Sequence, residues 1–300
     1  MLKGRLGLET ARVPQADRHG LLWLERGRVA VEQGTLVFTT AGTDRLEAGA
    51  YDLPFQQISN LLLGPGTTIS HDALRLLARQ GTGLLAVGSK GVRLYAQSLP
   101  AGPDRSERAR AHARLWNDED RRIDVVRRMY AIRLGGELPE HARDIDSLRG
   151  IEGQRVKRVY QNLASQYGVD WNGRRYDRHD PESDDLVNRS INHAVTAVYA
   201  AARIAVAVTG TVPQLGFIHE SSGHAFALDI ADLFRSSVAL PVAFRAAKQC
   251  QRQQRTDIEP VARKLAGRTL HDDDVIPEMI DRIDELLEPS AEATAEDGGP

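Results

Sequence analysis

The sequence predicts an α+β protein of two domains, a β-rich, sandwich-like amino-terminal domain followed by an all-α carboxy-terminal domain. Three observations carry this reading. Up to about residue 100 the apolar residues come in short runs split by turn dipeptides, as in strands. The segment Pro100-Ala-Gly-Pro-Asp104 interrupts the pattern as a linker. From Arg105 onward apolar residues recur every three to four positions, the period of a helix. The expected limits are 1–99 for the β-rich domain, 105–288 for the helical one, and 289–300 for a disordered acidic tail.

Each element has its own local reason. Leu21–Leu24, Val29–Val31 and Leu36–Phe38 are apolar runs separated by Arg26-Gly27 and Gln33-Gly34 turns. Ile58–Leu63 reads as a buried strand ended by Gly64-Pro65-Gly66. Ser70 is placed to cap a short helix with Leu74, Leu76 and Leu77 inward and Gly81 as its stop. Leu84–Val87 and Val92–Tyr95 are expected to form a hairpin about Ser89-Lys90-Gly91. Arg105–Leu134 is one long helix or two and carries nine arginines. These suit either a solvated face paired with Asp118, Glu119, Asp120 and Asp124 or a phosphate-facing ridge. Gly135-Gly136 ends it. Further helices follow over Asp144–Tyr167, Asp185–Val208, Leu240–Arg252, Ile258–Arg268 and Val275–Leu287.

Composition narrows the function. The 300 residues are 41% hydrophobic and 27% charged, the balance of a soluble globular chain. The single cysteine, Cys250, excludes an internal disulfide and cysteine-cluster metal sites, and fits a reducing cytoplasm. The longest apolar segment, Ala194–Val208, is interrupted by Arg203 and is shorter than the ~20 residues of a bilayer span. It reads as a buried core helix, with no membrane partner. Eleven acidic residues lie between His271 and Pro300 against one basic residue, Arg282. Positions 1–270 therefore hold 38 basic and 30 acidic residues, a basic body compatible with a polyanionic partner. Neither a Walker phosphate loop nor a Gly-x-Ser-x-Gly elbow is present.

The stretch 216–234 gathers the chemistry. Pro213 and Gly216 precede a loop containing His219, and Phe226, Ile230, Leu233 and Phe234 then mark one stripe of a helix. Asp229 and Asp232, three residues apart, project from the same side of it. Such a pair is either a solvated face or, with a histidine ten residues earlier, part of a site. An imidazole with carboxylates suits Mg²⁺ or Mn²⁺ better than structural zinc. A third carboxylate comes from the helix 144–167, whose stripe of Leu148, Val156, Tyr160, Leu163 and Tyr167 includes Glu152. A carboxylate there needs a partner. The partner is either an arginine such as Arg149 or Arg155, or a metal. Gly150 and Gly153 beside it permit close approach by another element. Around them Arg155, Arg174 and Arg175 are candidate phosphate contacts, interleaved with Tyr167, Trp171 and Tyr176. Trp171 and Tyr176 suit loop-core anchors equally well.

Leu148-Arg-Gly-Ile-Glu-Gly153, Tyr167-Gly-Val-Asp-Trp-Asn-Gly-Arg-Arg-Tyr176 and Gly216-Phe-Ile-His219 with Leu228-Asp-Ile-Ala-Asp232 together resemble the CRISPR-associated spacer-acquisition integrase. The likeness is to the branch that accompanies type I-E interference complexes, and Gly91–Tyr95 and Arg127–Tyr130 share it. The resemblance implies a homodimer through the β-domain and assembly with a small ferredoxin-fold second Cas protein. It implies metal ligands at Glu152, His219 and Asp232, a further acidic position at Asp229, a DNA-contacting arginine at Arg93 and a tyrosine near the active centre at Tyr199. The implied activity is metal-dependent insertion of new spacer DNA by 3′-hydroxyl attack on repeat phosphodiesters, on double-stranded and branched DNA. Glu220 departs from the small or polar residues usual after the histidine. Two rival readings are a general metal-dependent nuclease or phosphohydrolase, using His-Asp doublets such as His71-Asp72, and a non-catalytic DNA-binding scaffold. A metal-ligating His219 must be neutral, so activity is expected to fall in acid.

Overall fold

The computed structural model describes residues 20–43, 46–98, 106–136, 138, 145–174 and 185–288. The chain divides into two compact units. One comprises residues up to Ser89 together with Leu94–Glu107, and the other comprises Lys90–Arg93 and everything from Arg108.

Among the described residues the first unit holds eight strands and one helix: β1 (Leu21–Leu24), β2 (Gly27–Glu32), β3 (Thr35–Thr40), β4 (Gly49–Asp52), β5 (Asn60–Leu63), β6 (Thr67–Ile69), α1 (His71–Gln80), β7 (Gly83–Val87) and β8 (Leu94–Gln97). They make two four-stranded sheets, ordered β1-β5-β7-β8 and β4-β3-β2-β6. The sheets are mixed, with β1, β5 and β7 parallel and β8 antiparallel, while β2 pairs antiparallel with β3 and parallel with β6. Leu24 and Leu61 of one sheet share a core with Val29, Leu36 and Phe38 of the other, closed by Ala73 and Leu77 of α1. The sandwich-like reading therefore holds.

Two local expectations need correction. In α1 Ser70 caps Ala73 N–H and Gly81 closes the helix in the left-handed region at φ 68°, as expected. Leu74, however, points to solvent, because the inward stripe is set by Ala73 and Leu77. The last strand of the hairpin is 94–97 rather than 92–95, since Lys90 adopts a positive φ inside a 3₁₀ turn and delays the pairing.

The second unit is helical: α2 (Ser106–Asn117), α3 (Glu119–Leu134), α4 (Ile145–Tyr167), α5 (Leu186–Thr209), α6 (Ala225–Leu233), α7 (Leu240–Arg252), α8 (Glu259–Asp272) and α9 (Val275–Leu287). The break between α2 and α3 falls at Asp118, whose carboxylate accepts from Arg121 N–H as an N-cap. A π-helical turn, Arg235–Ala239, joins α6 to α7. The alanine-rich α5 is long and apolar enough to cross a membrane by composition, yet it packs against α6, α7, α8 and α9 as the centre of the bundle. Alanines at 194, 197, 200, 201, 202 and 205 let those helices approach closely, and all six are buried.

Candidate active site

The site is built from four elements of the helical unit: α3, α4, α6 and the loop that precedes α6. Asp229 of α6 is completely buried. A bare carboxylate in that position would be costly, but here every lone pair is used. Oδ2 accepts the backbone N–H of Phe217 at 2.6 Å and of Ile218 at 3.1 Å. Oδ1 accepts the backbone N–H of His219 at 3.0 Å and the ring Nδ1 of His219 at 2.6 Å. A carboxylate only accepts, so the neutral ring carries its proton on Nδ1 and keeps the lone pair of Nε2 for another partner.

The carbonyls of the same loop are held from the opposite side. His112 of α2 lies 2.7 Å from Leu215 O through Nε2, and its Nδ1 accepts Val212 N–H at 3.3 Å. Those two bonds fix His112 as the neutral Nε2–H tautomer, and burial lowers its pKa to about 4. Trp116 Nε1 donates to Gly216 O at 2.9 Å. Arg122 of α3 donates to Phe217 O at 3.0 and 3.2 Å and also bonds Glu220. Glu220, the unusual residue after the histidine, is thus part of the loop's anchorage. Gly216 sits where a side chain has no room, since a Cβ would lie 2.1 Å from His219 O and 2.7 Å from Ala225 Cβ.

Glu152 of α4 and Asp232 of α6 meet at Arg133 of α3. One nitrogen, Nη2, bonds Glu152 Oε1 and also Asp232 Oδ2, the latter at 3.2 Å. The Arg133 side chain is only 8% exposed, with its guanidinium 5.1 Å from the centre of the Tyr130 ring. Arg235 approaches Asp232 from its other oxygen at 3.8 Å and donates to the Tyr160 hydroxyl at 3.4 Å. Burial pushes the Glu152 carboxyl above its usual value, against the pull of Arg133 and with added repulsion from Asp232. His219 is raised, first by its hydrogen bond to Asp229 and further by the charges of Asp229 and Asp232. The loss of neutral His219 therefore sets in at a higher pH than for a free imidazole.

Asp229 and Asp232, read as a matched pair, divide the labour. The first is buried and orients His219, while the second faces the partly open site. Glu152, His219 and Asp232 come close enough to feel one another's charge. Among the described residues no three His, Cys, Asp or Glu side chains enclose a metal-sized space, because the two carboxylates are turned onto Arg133. The donor set itself fits a hard divalent cation: two carboxylates already drawn to one positive centre, and an imidazole with a free lone pair fixed by a carboxylate. The partner of Glu152 is Arg133, not Arg149 or Arg155.

The remaining predicted residues have other settings. Arg155 donates to Leu134 O at 2.7 Å and lines a shallow pocket on α4 with Ser147, Gln154 and Arg158. Arg174 donates to Asn188 at 2.9 Å and Asn192 at 2.6 Å. Arg93 is exposed and 3.7 Å from Glu259. Tyr199 is half-buried in α5, and burial raises its hydroxyl pKa. Arg175 and Tyr176 lie outside the described residues, as does the 289–300 tail. Trp171 is a core anchor, stacked on Tyr160 at 4.7 Å and packed on Phe244. Gly150 and Gly153 face open space rather than another element. His71 and Asp72 lie on the exposed start of α1, away from any such buried setting.

Sequence reasoning missed His112, Trp116, Arg122 and Arg133. Several arginines of α2 and α3 are neither solvated face nor phosphate ridge. Arg108 pairs with Asp284 at 2.8 Å, and Arg128 caps the carbonyls of Glu285, Leu286 and Glu288 at the end of α9. A signal existed for Trp116 and His112, since both fall on the inward face of α2 at i and i+4.

Comparison with known proteins identifies the family. The family model described as CRISPR associated protein Cas1 matches residues 21–138 and 132–274. A CRISPR-associated endonuclease Cas1 of Escherichia coli (strain K12) is 39% identical over 79% of this chain and 75% of its own length. One from Geobacter sulfurreducens is 39% identical over 84% of this chain and 80% of its own. The crystal structure of a TtCas1–DNA complex superposes with a TM-score of 0.81 at 31% identity, covering 91% of this chain and 98% of that one. With a family model spanning most of its length and relatives this similar, the chain belongs to the Cas1 family of CRISPR-associated proteins.

Proposed function

We propose that the chain is a metal-dependent DNA endonuclease and integrase of CRISPR adaptation, which inserts new spacer DNA into the repeat array. The observation that carries this is the grip of Asp229 on His219 beside Glu152 and Asp232, on three separately anchored elements. Such a set fits Mg²⁺ or Mn²⁺ held by Glu152, His219 and Asp232, and the ion would supply Lewis-acid stabilisation of charge on the scissile phosphate. The chain's own residues do the rest. Asp229 holds the Nδ1 proton and so leaves the Nε2 lone pair available, and α3 and α4 bring Arg133 and Glu152 to Asp232. Arg235 adds positive charge beside a reacting phosphodiester. A 3′-hydroxyl as attacker gives strand transfer; water gives hydrolysis.

The relatives named endonuclease Cas1 and the DNA-bound TtCas1 structure support DNA as substrate. The likeness to the Escherichia coli protein supports the type I-E branch. With it come a homodimer, a ferredoxin-fold Cas partner, double-stranded and branched DNA, and a cytoplasmic setting. Arg93, Arg155, Arg174, Arg175 and Tyr199 are proposed as DNA contacts.

The test is joining of a labelled 3′-hydroxyl duplex to a supercoiled repeat-bearing plasmid, with the partner protein present. Joining should require Mg²⁺ or Mn²⁺, stop in EDTA and be lost in Asp232→Ala. Cleavage without joining would assign a plain nuclease. Intact DNA binding with neither reaction would make the acids structural and overturn the reading.

A further inference from the structure

Resting on the metal-dependent reading above, we propose that Arg133 is the site's exchangeable counter-ion, neutralising Glu152 and Asp232 in the metal-free protein and leaving them when a divalent cation binds. The argument starts from a single atom. Arg133 Nη2 alone bonds both carboxylates, so one point of positive charge bridges α4 and α6. An arginine in an ordinary ion pair offers its two-pronged edge to one carboxylate. Here the fork is not used that way, and the nitrogen stands between two acids as a cation would.

Arg133 engages one oxygen of each carboxylate that would hold the metal. Glu152 Oε1 and Asp232 Oδ2 are bound by Arg133, whereas the other Asp232 oxygen faces Arg235. A divalent ion on the same two carboxylates would lie close to the guanidinium, and two cations at that separation repel strongly in a half-buried site. Arg133 and a metal would therefore compete for the two acids. The side chain also has somewhere to remain. Its guanidinium rests near the face of Tyr130, which is itself 1% exposed and fixed in the core. Arg235 stays in place during the exchange, because it stands 3.8 Å from Asp232 and is tied to Tyr160.

Arg133 is thus a positioning residue with a measurable cost. It keeps two acids from repelling one another before loading, and it competes with the ion that replaces it. The experiment is Mn²⁺ titration of the full-length protein by calorimetry, for wild type, Arg133→Gln and Arg133→Lys, with thermal melts in EDTA. Arg133→Gln should bind Mn²⁺ about tenfold tighter, as expected for removal of a like charge at contact distance. It should also melt lower in EDTA and regain more on adding Mn²⁺ than wild type does. Arg133→Lys, which keeps the charge, should fall between them.

Wild-type binding with equal or weaker binding by Arg133→Gln overturns the exchange and leaves the metal site standing. No binding by any of the proteins overturns both. A wild-type measurement needs no variant: the NMR resonance of the Arg133 Nε–H should shift on Mg²⁺ addition. An unmoved resonance at saturating Mg²⁺ refutes displacement.

Discussion

Replacing Asp229 by asparagine changes one oxygen to an NH₂ and should separate what the carboxylate does for the fold from what it does for the site. The carbonyl oxygen of the new amide would take the Oδ2 position, where Phe217 N–H and Ile218 N–H are immovable donors. The NH₂ then faces His219 N–H, donor against donor, and the ring Nδ1. One buried hydrogen bond is lost outright, at about 1–3 kcal/mol, and three fall from charge-assisted to neutral, at about 0.5–1 kcal/mol each. The expected loss is therefore about 2.5–6 kcal/mol, a large share of the roughly 5–15 kcal/mol that holds a domain together. The ring must also release Nδ1–H to accept from the amide, so its proton moves to Nε2 and the lone pair aimed into the site disappears. Loss of such an orienting carboxylate costs about 10–100-fold in metal affinity or activity. Urea denaturation measures the first effect, nitrogen chemical shifts of His219 the tautomer, and divalent-dependent cleavage of branched DNA the third. A variant within about 1 kcal/mol of wild type in stability, with an unchanged tautomer, would refute the reasoning.

Other outcomes follow from the same geometry. Gly216→Ala must push a Cβ away from a carbonyl oxygen 2.1 Å distant, and should lower stability by about 1–3 kcal/mol or more in a thermal melt. Trp116→Phe keeps the ring but loses the bond to Gly216 O; it should cost about 1 kcal/mol, with turnover falling more than DNA affinity. His112 is neutral when folded down to about pH 4 but protonates near 6.5 when unfolded. Stability is therefore unaffected by this group above pH 6.5 and is lost as pH drops, by about 1.4 kcal/mol per unit, for a total loss of about 3 kcal/mol by pH 4. His112→Gln should flatten that acid limb in pH-dependent urea titrations; an equally steep limb would place the effect elsewhere.

Much of this arrangement is legible in the sequence, for definite reasons. Glu152 stands out because a carboxylate interrupts an apolar stripe, and Asp229 and Asp232 stand out because spacing ties them to one helix. Local patterns do not tell that Asp229 is buried while Asp232 is partly open; that depends on which turn of α6 meets the 216–219 loop. Arg133 is one of nine arginines between Arg105 and Leu134. Nothing in its own neighbourhood distinguishes it, and only packing of α3 on α4 and α6 does. The strands β4 and β6 escape notice because Gly49–Asp52 and Thr67–Ile69 are short and carry little apolar alternation. Gly150 and Gly153 mislead in the other direction, since glycine permits close approach without causing it.

The loop before α6 carries a consequence for motion. Residues 215–219 belong to no helix or strand, and loops of that kind ordinarily exchange their amide protons quickly. Here the amides of Phe217, Ile218 and His219 end on a carboxylate with no solvent exposure. They should exchange as slowly as those in the middle of α5. Immobilising a residue costs about 1–2 kcal/mol in backbone entropy, and that cost is met when the helices fold rather than when DNA arrives.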